Sequence, residues 1–211
     1  MRLLIDHGAD VTAQDETQST PLHLASSFGS AETVRLLIEY GADVTAQDGN
    51  RRTALHRASS RVSDETATLG IAWADVIGQY KVPQKDLYRR KSNDKADAVQ
   101  LLIQNGADVA ARDDTHSTPL HLASAKSCSE TVDLLIQHGA DVNAPNGKQS
   151  TPLHLASSSR LALEGTIVRL LLRHGANMDA EDSEGRTPLE IASAEGNTWI
   201  VKLLSDYQAG R

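Results

Sequence analysis

The sequence predicts an all-α fold, a solenoid of helix-turn-helix units that are joined by hairpin-like fingers. Two short phrases recur in register along the 211 residues of the chain. The first phrase carries a helix-start signal, a threonine followed by a proline, at most of its occurrences. Aromatic residues are scarce, with one Phe, two Trp and four Tyr. A core built instead from Leu, Ile, Val and Ala suits helices that stack in thin layers.

The two phrases fix the period of the predicted solenoid. The first occurs as TPLHLA at 20–25, 118–123 and 151–156, as TALHRA at 53–58, and as TPLEIA at 187–192. The second occurs as LLIDHGADV at 3–11, LLIEYGADV at 36–44, LLIQNGADV at 101–109, LLIQHGADV at 134–142 and LLLRHGANM at 170–178. Successive starts of the second phrase are 33, 65, 33 and 36 residues apart. Such a period indicates a repeat architecture.

One unit illustrates the predicted local structure. Thr20 is suited to cap an inner helix and Pro21 to occupy its first position. Gly29 ends this helix, a second, outer helix follows, and Gly41 terminates it in the left-handed conformation. The segment after Gly41 then extends toward the next unit as a finger. The residues predicted to fill the buried side of the inner helix are Leu22, Leu24 and Ala25.

These phrases resemble the ankyrin repeat family, whose unit of about 33 residues carries a T-P-L-H-x-A signature. The resemblance implies that His23, His56, His121 and His154 bond backbone and threonine groups between adjacent fingers. It also implies a non-catalytic scaffold that binds another protein on a concave face made of finger tips and inner helices. The finger-turn glycine typical of the family remains only at Gly185, and the residues in its place are Gln18, Arg51, His116 and Gln149. Their side chains are expected to strain the turn or change its type.

The spacing of 65 residues between Leu36 and Leu101 is one repeat too long. Sliding the chain by one period aligns residues 59–76 with an outer helix, and residues 77–109 then have the length of one repeat. Arg89 and Arg90 replace Leu24 and Ala25 in that repeat, so we expect a degenerate inner helix there. The alternative is an irregular loop or an added helix that bridges two flanking repeats.

The chain is accordingly divided into a single ankyrin-repeat domain over residues 1–211. Its predicted parts are a partial repeat at 1–11, repeats at 12–44 and 45–76, a degenerate repeat at 77–109, repeats at 110–142 and 143–178, the latter with a three-residue insertion, and a C-terminal repeat at 179–211. We expect Trp199 and Tyr207 to cover the end of the stack.

Composition and motifs exclude several classes of function. The net charge of −7 argues against general affinity for nucleic acid or anionic membrane. Cys128 is the lone cysteine, and no apolar run approaches the roughly 20 residues of a membrane span. No phosphate-binding glycine motif or nucleophile constellation is present, so we expect no enzymatic activity, no cofactor and no metal. An intracellular, most simply cytoplasmic, monomer is the resulting expectation.

Candidate binding residues follow from the positions on the concave face that do not hold the fold. They are Glu16, Thr17, Ser19, Phe28, Asn50, Arg52, Arg61, Asp114, Thr115, Lys126, Lys148, Glu184 and Arg186. Phe28 is the only phenylalanine and is expected to be exposed, and exposed aromatic and arginine side chains are enriched at binding hot spots.

A second candidate surface is basic. It consists of Lys81, Lys85, Arg89, Arg90, Lys91 and Lys95. A solvated face is one interpretation, and a docking patch for an acidic partner is another. The alternative functions are therefore binding of nucleic acid or an acidic ligand through this patch, or a regulatory or recruitment role within a larger multidomain protein.

Overall fold

The computed structural model describes residues 2–60, 93–125, 128–159 and 165–210. Within these ranges every regular element is an α-helix. The helices are α1 (Arg2–Asp6), α2 (Pro21–Phe28), α3 (Ala31–Glu39), α4 (Ala54–Ser59), α5 (Asn93–Gln104), α6 (Pro119–Ala125), α7 (Ser129–Gln137), α8 (Pro152–Ser158), α9 (Thr166–Arg173), α10 (Pro188–Ala194) and α11 (Thr198–Ala209). The chain divides into two compact units, and each is described by itself below. Unit 1 comprises Met1–Gly49 and Thr53–Ala107, and unit 2 comprises Asn50–Arg52 and Asp108–Arg211.

Inner and outer helices alternate as the repeats predicted. The inner helix α2 begins at Pro21 after Thr20, whose φ of −88° and ψ of 165° place it in the extended conformation of a helix N-cap. Gly29 ends the helix with a φ of 66°, a left-handed conformation that glycine adopts without steric cost. The outer helix α3 follows at once. Because the helices are short, most of their stability comes from packing on neighbours.

Leucines form the core of each unit. In unit 1 the fully buried side chains include Leu22, Leu37, Leu55 and Leu102. In unit 2 they include Leu120, Leu135, Leu153, Leu171 and Leu204. The prediction for Leu24 was wrong, because this side chain is 36% exposed. It follows Leu22 by two positions, which on an α-helix turns it well away from the buried face.

Unit 1 corrects the predicted repeat boundaries. Helix α5 packs directly on the outer helix α3 and on the inner helix α4. Its packing on α4 matches the packing of the outer helix α3 on the inner helix α2. Lys95, near the start of α5, donates from Nζ to the carbonyl oxygen of Ser60 at 2.5 Å. Helices α4 and α5 therefore pair as the inner and outer helix of one repeat, built from residues 45–60 and 93–109, whereas the sequence divided them between the predicted repeats 45–76 and 77–109.

Unit 2 supports the same correction. The finger that carries Asp114 bonds directly to the finger that carries Asn50, since the Asp114 amide donates to the Asn50 carbonyl at 3.0 Å. The next pair of fingers is joined in the same way by Gly147 and Thr115, at 2.9 Å. Among the described residues no finger lies between those of Asn50 and Asp114, so the inner helix α4 and the outer helix α5 of one repeat flank residues 61–92.

Residues 61–92 are therefore an insertion within one repeat, and they lie outside the described residues. Their length is close to one period, which is why counting residues could not distinguish an insertion from a repeat. Joining Ser60 to Asn93 would give ASSNDKADAVQLLIQ, which aligns without a gap with ASSFGSAETVRLLIE at residues 25–39.

We expect a variant that lacks residues 61–92 to fold with the same repeat structure. Its free energy of unfolding should be unchanged or raised by up to about 2 kcal/mol, because the connection between α4 and α5 becomes shorter. Urea unfolding followed by circular dichroism measures this. Deletion of residues 77–109 is the control, since it removes α5 with its buried Leu102 and should abolish cooperative unfolding. If the chain lacking residues 77–109 were more stable than the chain lacking residues 61–92, the prediction of a degenerate repeat at 77–109 would be supported instead.

Candidate interaction surface

Each finger is held by a carboxylate or amide that caps its turn. In unit 2, Asp113 is fully buried and its Oδ1 accepts from the Thr115 amide at 3.0 Å, the Thr115 hydroxyl at 2.6 Å and the Ser117 amide at 2.9 Å. Asn146 and Asp182 accept backbone amides in the same way in the next two fingers. Side-chain bonds of this kind fix the turn without a strand ladder.

The finger turns keep their left-handed residue even where glycine is missing. Gln18, Arg51, His116 and Gln149 have φ values of 60°, 58°, 58° and 57°, whereas Gly185 has 72°. The turn type is thus unchanged, and the expected strain is present as a left-handed conformation in residues that carry a Cβ. Such a residue costs roughly 1 kcal/mol relative to its preferred conformations. All four side chains are exposed, so they extend from the finger tips into solvent.

Backbone hydrogen bonds tie the finger tips of unit 2 into one row. Besides the bonds between the Asn50, Asp114 and Gly147 fingers, the Ser183 amide donates to the Lys148 carbonyl at 2.8 Å. We call this set the tip row and define it by Asn50, Asp114, Lys148 and Glu184, whose side chains are all exposed. The spacing of these side chains is fixed by main-chain contacts rather than by the side chains themselves.

Ion pairs hold several fingers from within. Arg52 donates from Nε to Oδ2 of the buried Asp113 at 3.1 Å, and Arg186 donates to Oδ2 of Asp182 at 2.8 Å. Burial tends to raise the pKa of Asp182, but hydrogen bonds from Arg186 and from two backbone amides lower it to about 2. In Asp113, likewise, burial is outweighed by bonds from Thr115, Ser117 and Arg52, and its pKa is lowered. Both carboxylates therefore stay ionised well below neutral pH.

A third pair lies in unit 1 and was missed by the sequence analysis. Arg57 occupies the position of Leu24 in the first phrase and donates from Nε to Oδ2 of the buried Asp48 at 2.9 Å. A second guanidinium nitrogen contacts the same oxygen. The signal was the change from TPLHLA to TALHRA, because an arginine at a half-exposed inner-helix position can reach the carboxylate of its own finger.

The two histidines of the first phrase in unit 2, His121 and His154, act as predicted. In unit 2 the Thr118 amide donates to Nδ1 of His121 at 3.1 Å, and Nε2 faces the Ser150 carbonyl in the next finger at 3.1 Å. His154 repeats this arrangement with Thr151 and the Arg186 carbonyl. Because an amide can only donate, Nδ1 must accept, and the proton of the neutral ring lies on Nε2. Burial lowers the pKa of His121 to about 4, and burial also lowers the pKa of His154.

The structure sorts the predicted binding residues by exposure. Those with exposed side chains are Glu16, Thr17, Asn50, Asp114, Thr115, Lys148, Glu184 and Arg186. Phe28 is half-buried rather than exposed, because it ends α2 where that helix turns toward α3. Ser19 is buried, with only 4% exposed, and its amide donates to Asp15, so it does not belong to the surface. Arg61 and Lys126 lie outside the described residues.

Most of the predicted basic patch also falls outside the described residues, namely Lys81, Lys85, Arg89, Arg90 and Lys91. The remaining member, Lys95, is half-buried and bonded to Ser60. Its Cγ lies so close to Gly29 that a Cβ on that glycine would approach it to 2.5 Å. Lys95 thus bonds to the end of α4 and packs against the end of α2, and it is not available as a docking cation.

The described ranges hold neither a metal-binding cluster nor a membrane-spanning helix. No group of three or more His, Cys, Asp or Glu side chains in them is arranged to hold a metal ion. No helix in these ranges has the length and apolar character needed to cross a bilayer. Cys128 is half-buried just before α7.

Comparison with known proteins gives one match. A family model described as ankyrin repeats, in three copies, matches residues 1–69, 89–163 and 145–210. The match omits residues 70–88, which lie inside the insertion of residues 61–92. No curated protein matches the chain.

Proposed function

Because this chain belongs to the ankyrin repeat family, whose repeats are generally protein–protein interaction modules, we propose that it is a non-catalytic scaffold that binds a partner protein. The partner contacts the face formed by finger tips and inner helices. In unit 2 this face contains the tip row.

The observation that carries this proposal is the chain of main-chain bonds along the tip row. Each finger bonds to the next at 2.8–3.0 Å, and each turn is capped by its own Asp or Asn. The side chains of the tip row are consequently presented at fixed spacing before a partner arrives. A surface that is already ordered loses little conformational entropy on binding, so more of the contact energy appears as affinity.

The composition of the row also suits recognition of a protein. Asn50, Asp114, Lys148 and Glu184 offer an amide, two carboxylates and an ammonium group at successive finger tips. This alternation of charge favours a partner with the complementary order of charges, and it disfavours partners of one uniform sign. Arg52 and Arg186 are engaged with Asp113 and Asp182, so they hold the fingers and contribute to binding only indirectly.

The test is capture of partners from an extract of the source cell on the immobilised chain. We expect the combined variant Asn50→Ala, Asp114→Ala, Lys148→Ala and Glu184→Ala to lose the main captured protein, with affinity reduced at least about tenfold, or about 1.4 kcal/mol. A matched control replaces four exposed outer-helix residues, Arg35, Glu39, Gln104 and Gln137, by Ala.

Both variants must unfold in urea at the same concentration as the native chain. Equal capture by the native chain and the tip-row variant would overturn the assignment of the surface. Turnover of a captured small molecule by the pure chain would overturn the non-catalytic role.

A further inference from the structure

A groove opens between the outer helices α9 and α11 of unit 2, away from the fingers. It has a volume of about 610 Å³ and is lined by Thr166, Arg169, Leu170, Arg173 and Trp199. Beyond the lining residues, the Tyr207 hydroxyl of α11 donates to the Leu172 carbonyl of α9 at 3.2 Å. We call this feature the outer groove.

Trp199 forms one wall of the outer groove and is 49% exposed, although it is among the largest apolar side chains. Gly165 makes this position possible, because a Cβ there would lie 3.2 Å from Nε1 of Trp199 and 2.8 Å from Leu203. The indole is thus held against the start of α9 while much of its surface faces solvent. Partly exposed Trp side chains in well-defined surroundings are enriched among the residues that dominate protein interfaces.

The opposite wall is cationic. Arg169 and Arg173 are four residues apart on α9, which places them on one face of the helix, and both are exposed. The guanidinium carbon of Arg169 lies 5.9 Å from the centre of the Trp199 ring. Neither arginine forms an ion pair with a carboxylate in the described ranges, whereas Arg52, Arg57 and Arg186 do.

The charge of this groove departs from that of the chain. The chain carries a net charge of −7, yet among the described residues that line the groove none is acidic and two are arginines. The positions of Arg169 and Arg173 are held by Asp133 and Gln137 in the preceding repeat, so the repeat pattern does not require cations there. A negatively charged segment is repelled by most of the surface and attracted at this groove.

We propose that the outer groove binds an acidic peptide segment of a partner protein, with carboxylates on Arg169 and Arg173 and an apolar side chain on Trp199. Alternate side chains of an extended strand project to the same side at roughly 7 Å, which matches arginines one helical turn apart. This surface is separate from the tip row, and its occupation does not depend on the function proposed for that row.

Fluorescence of Trp199 tests the proposal directly. Trp73→Phe leaves Trp199 as the single tryptophan of the chain. The probe is the acetylated, amidated peptide Glu-Leu-Glu-Leu-Glu, and its Gln-Leu-Gln-Leu-Gln analogue is the matched control. We expect a saturable blue shift with the acidic peptide, half-complete at roughly 0.1–1 mM at low salt and weakened as salt is raised. The analogue should bind at least about tenfold more weakly, since it lacks the charges.

Two variants fix the location. Arg169→Glu combined with Arg173→Glu should abolish the shift, whereas Arg35→Glu, at the same position of α3, should leave it unchanged. The proposal is overturned by equal binding of both peptides, by no change up to about 10 mM, or by retained binding in the doubly reversed variant whose urea midpoint is native. A blue shift that appears when the chain is concentrated without peptide would assign the groove to a second copy of the chain. That result would also overturn the proposal.

Discussion

Lowering the pH from 7.5 to 5 is expected to reduce the free energy of unfolding by about 2 kcal/mol through His121 alone. In the unfolded chain this ring titrates near 6.5, whereas burial lowers its folded pKa to about 4. Between these values the unfolded state holds more protons than the folded state, so stability falls as the pH falls. His154, whose pKa burial also lowers, adds to the loss in the same direction.

The geometry explains why a protonated ring does not fit. Nδ1 of His121 accepts the Thr118 amide, and a proton on Nδ1 would face that N–H instead of receiving it. Protonation therefore loses the bond from the Thr118 amide and charges a buried ring at the same time, and the Thr118 hydroxyl, 2.8 Å from Nδ1, becomes its acceptor. The bond from Nε2 to Ser150 survives but cannot compensate for both effects.

Urea unfolding at a series of pH values between 7.5 and 5 measures this dependence. His121→Gln should lower stability at neutral pH yet flatten its pH dependence, because the titrating group is gone. His138→Gln, at an exposed ring on α7's C-terminal end, should keep the native slope. A native slope in His121→Gln, or stability that rises toward pH 5, would contradict the assignment.

Leu22→Ala is expected to cost about 3 to 4 kcal/mol, whereas Leu24→Ala in the same helix should cost about 1 kcal/mol or less. Leu22 is fully buried between packed helices, so its removal leaves a cavity as well as losing apolar contact. Leu24 is 36% exposed, and water can fill the space that it leaves.

The two variants have the same chemistry and differ only in burial, which makes each the control of the other. The difference between their urea midpoints, measured at pH 7.5, gives the result. Similar losses for both would show that Leu24 is packed as the sequence analysis predicted and would contradict the placement of α2.

Much of the fold could be predicted from the sequence because each repeat signals its own start and end. Thr20, Pro21 and Gly29 fix a helix by local capping and backbone preference, and these signals need no tertiary contact. The role of His23, His56, His121 and His154 followed from the family resemblance, and for His121 and His154 the bonds to threonine and to the next finger confirm it.

The candidate surface was harder to predict. Ser19 sits beside exposed Thr17 in the sequence, yet the finger turn buries it and leaves Thr17 in solvent. Arg52 was predicted to bind a partner, but its guanidinium bonds to Asp113 on the next finger, far along the chain. Neither outcome is contained in a local pattern, because both depend on how successive fingers lie against each other.

The sequence by itself determined the repeat unit, its helices and its family, because those follow from periodicity and from capping residues close in the chain. Only the tertiary structure decided that residues 45–60 and 93–109 form one repeat around an insertion. A count of residues measures only distance along the chain. Because the insertion is about one period long, the repeats that follow it keep the same spacing as if it were a repeat. The contacts of α5 with α3 and α4, and of the Asp114 finger with the Asn50 finger, measure proximity in space and therefore separate the two arrangements.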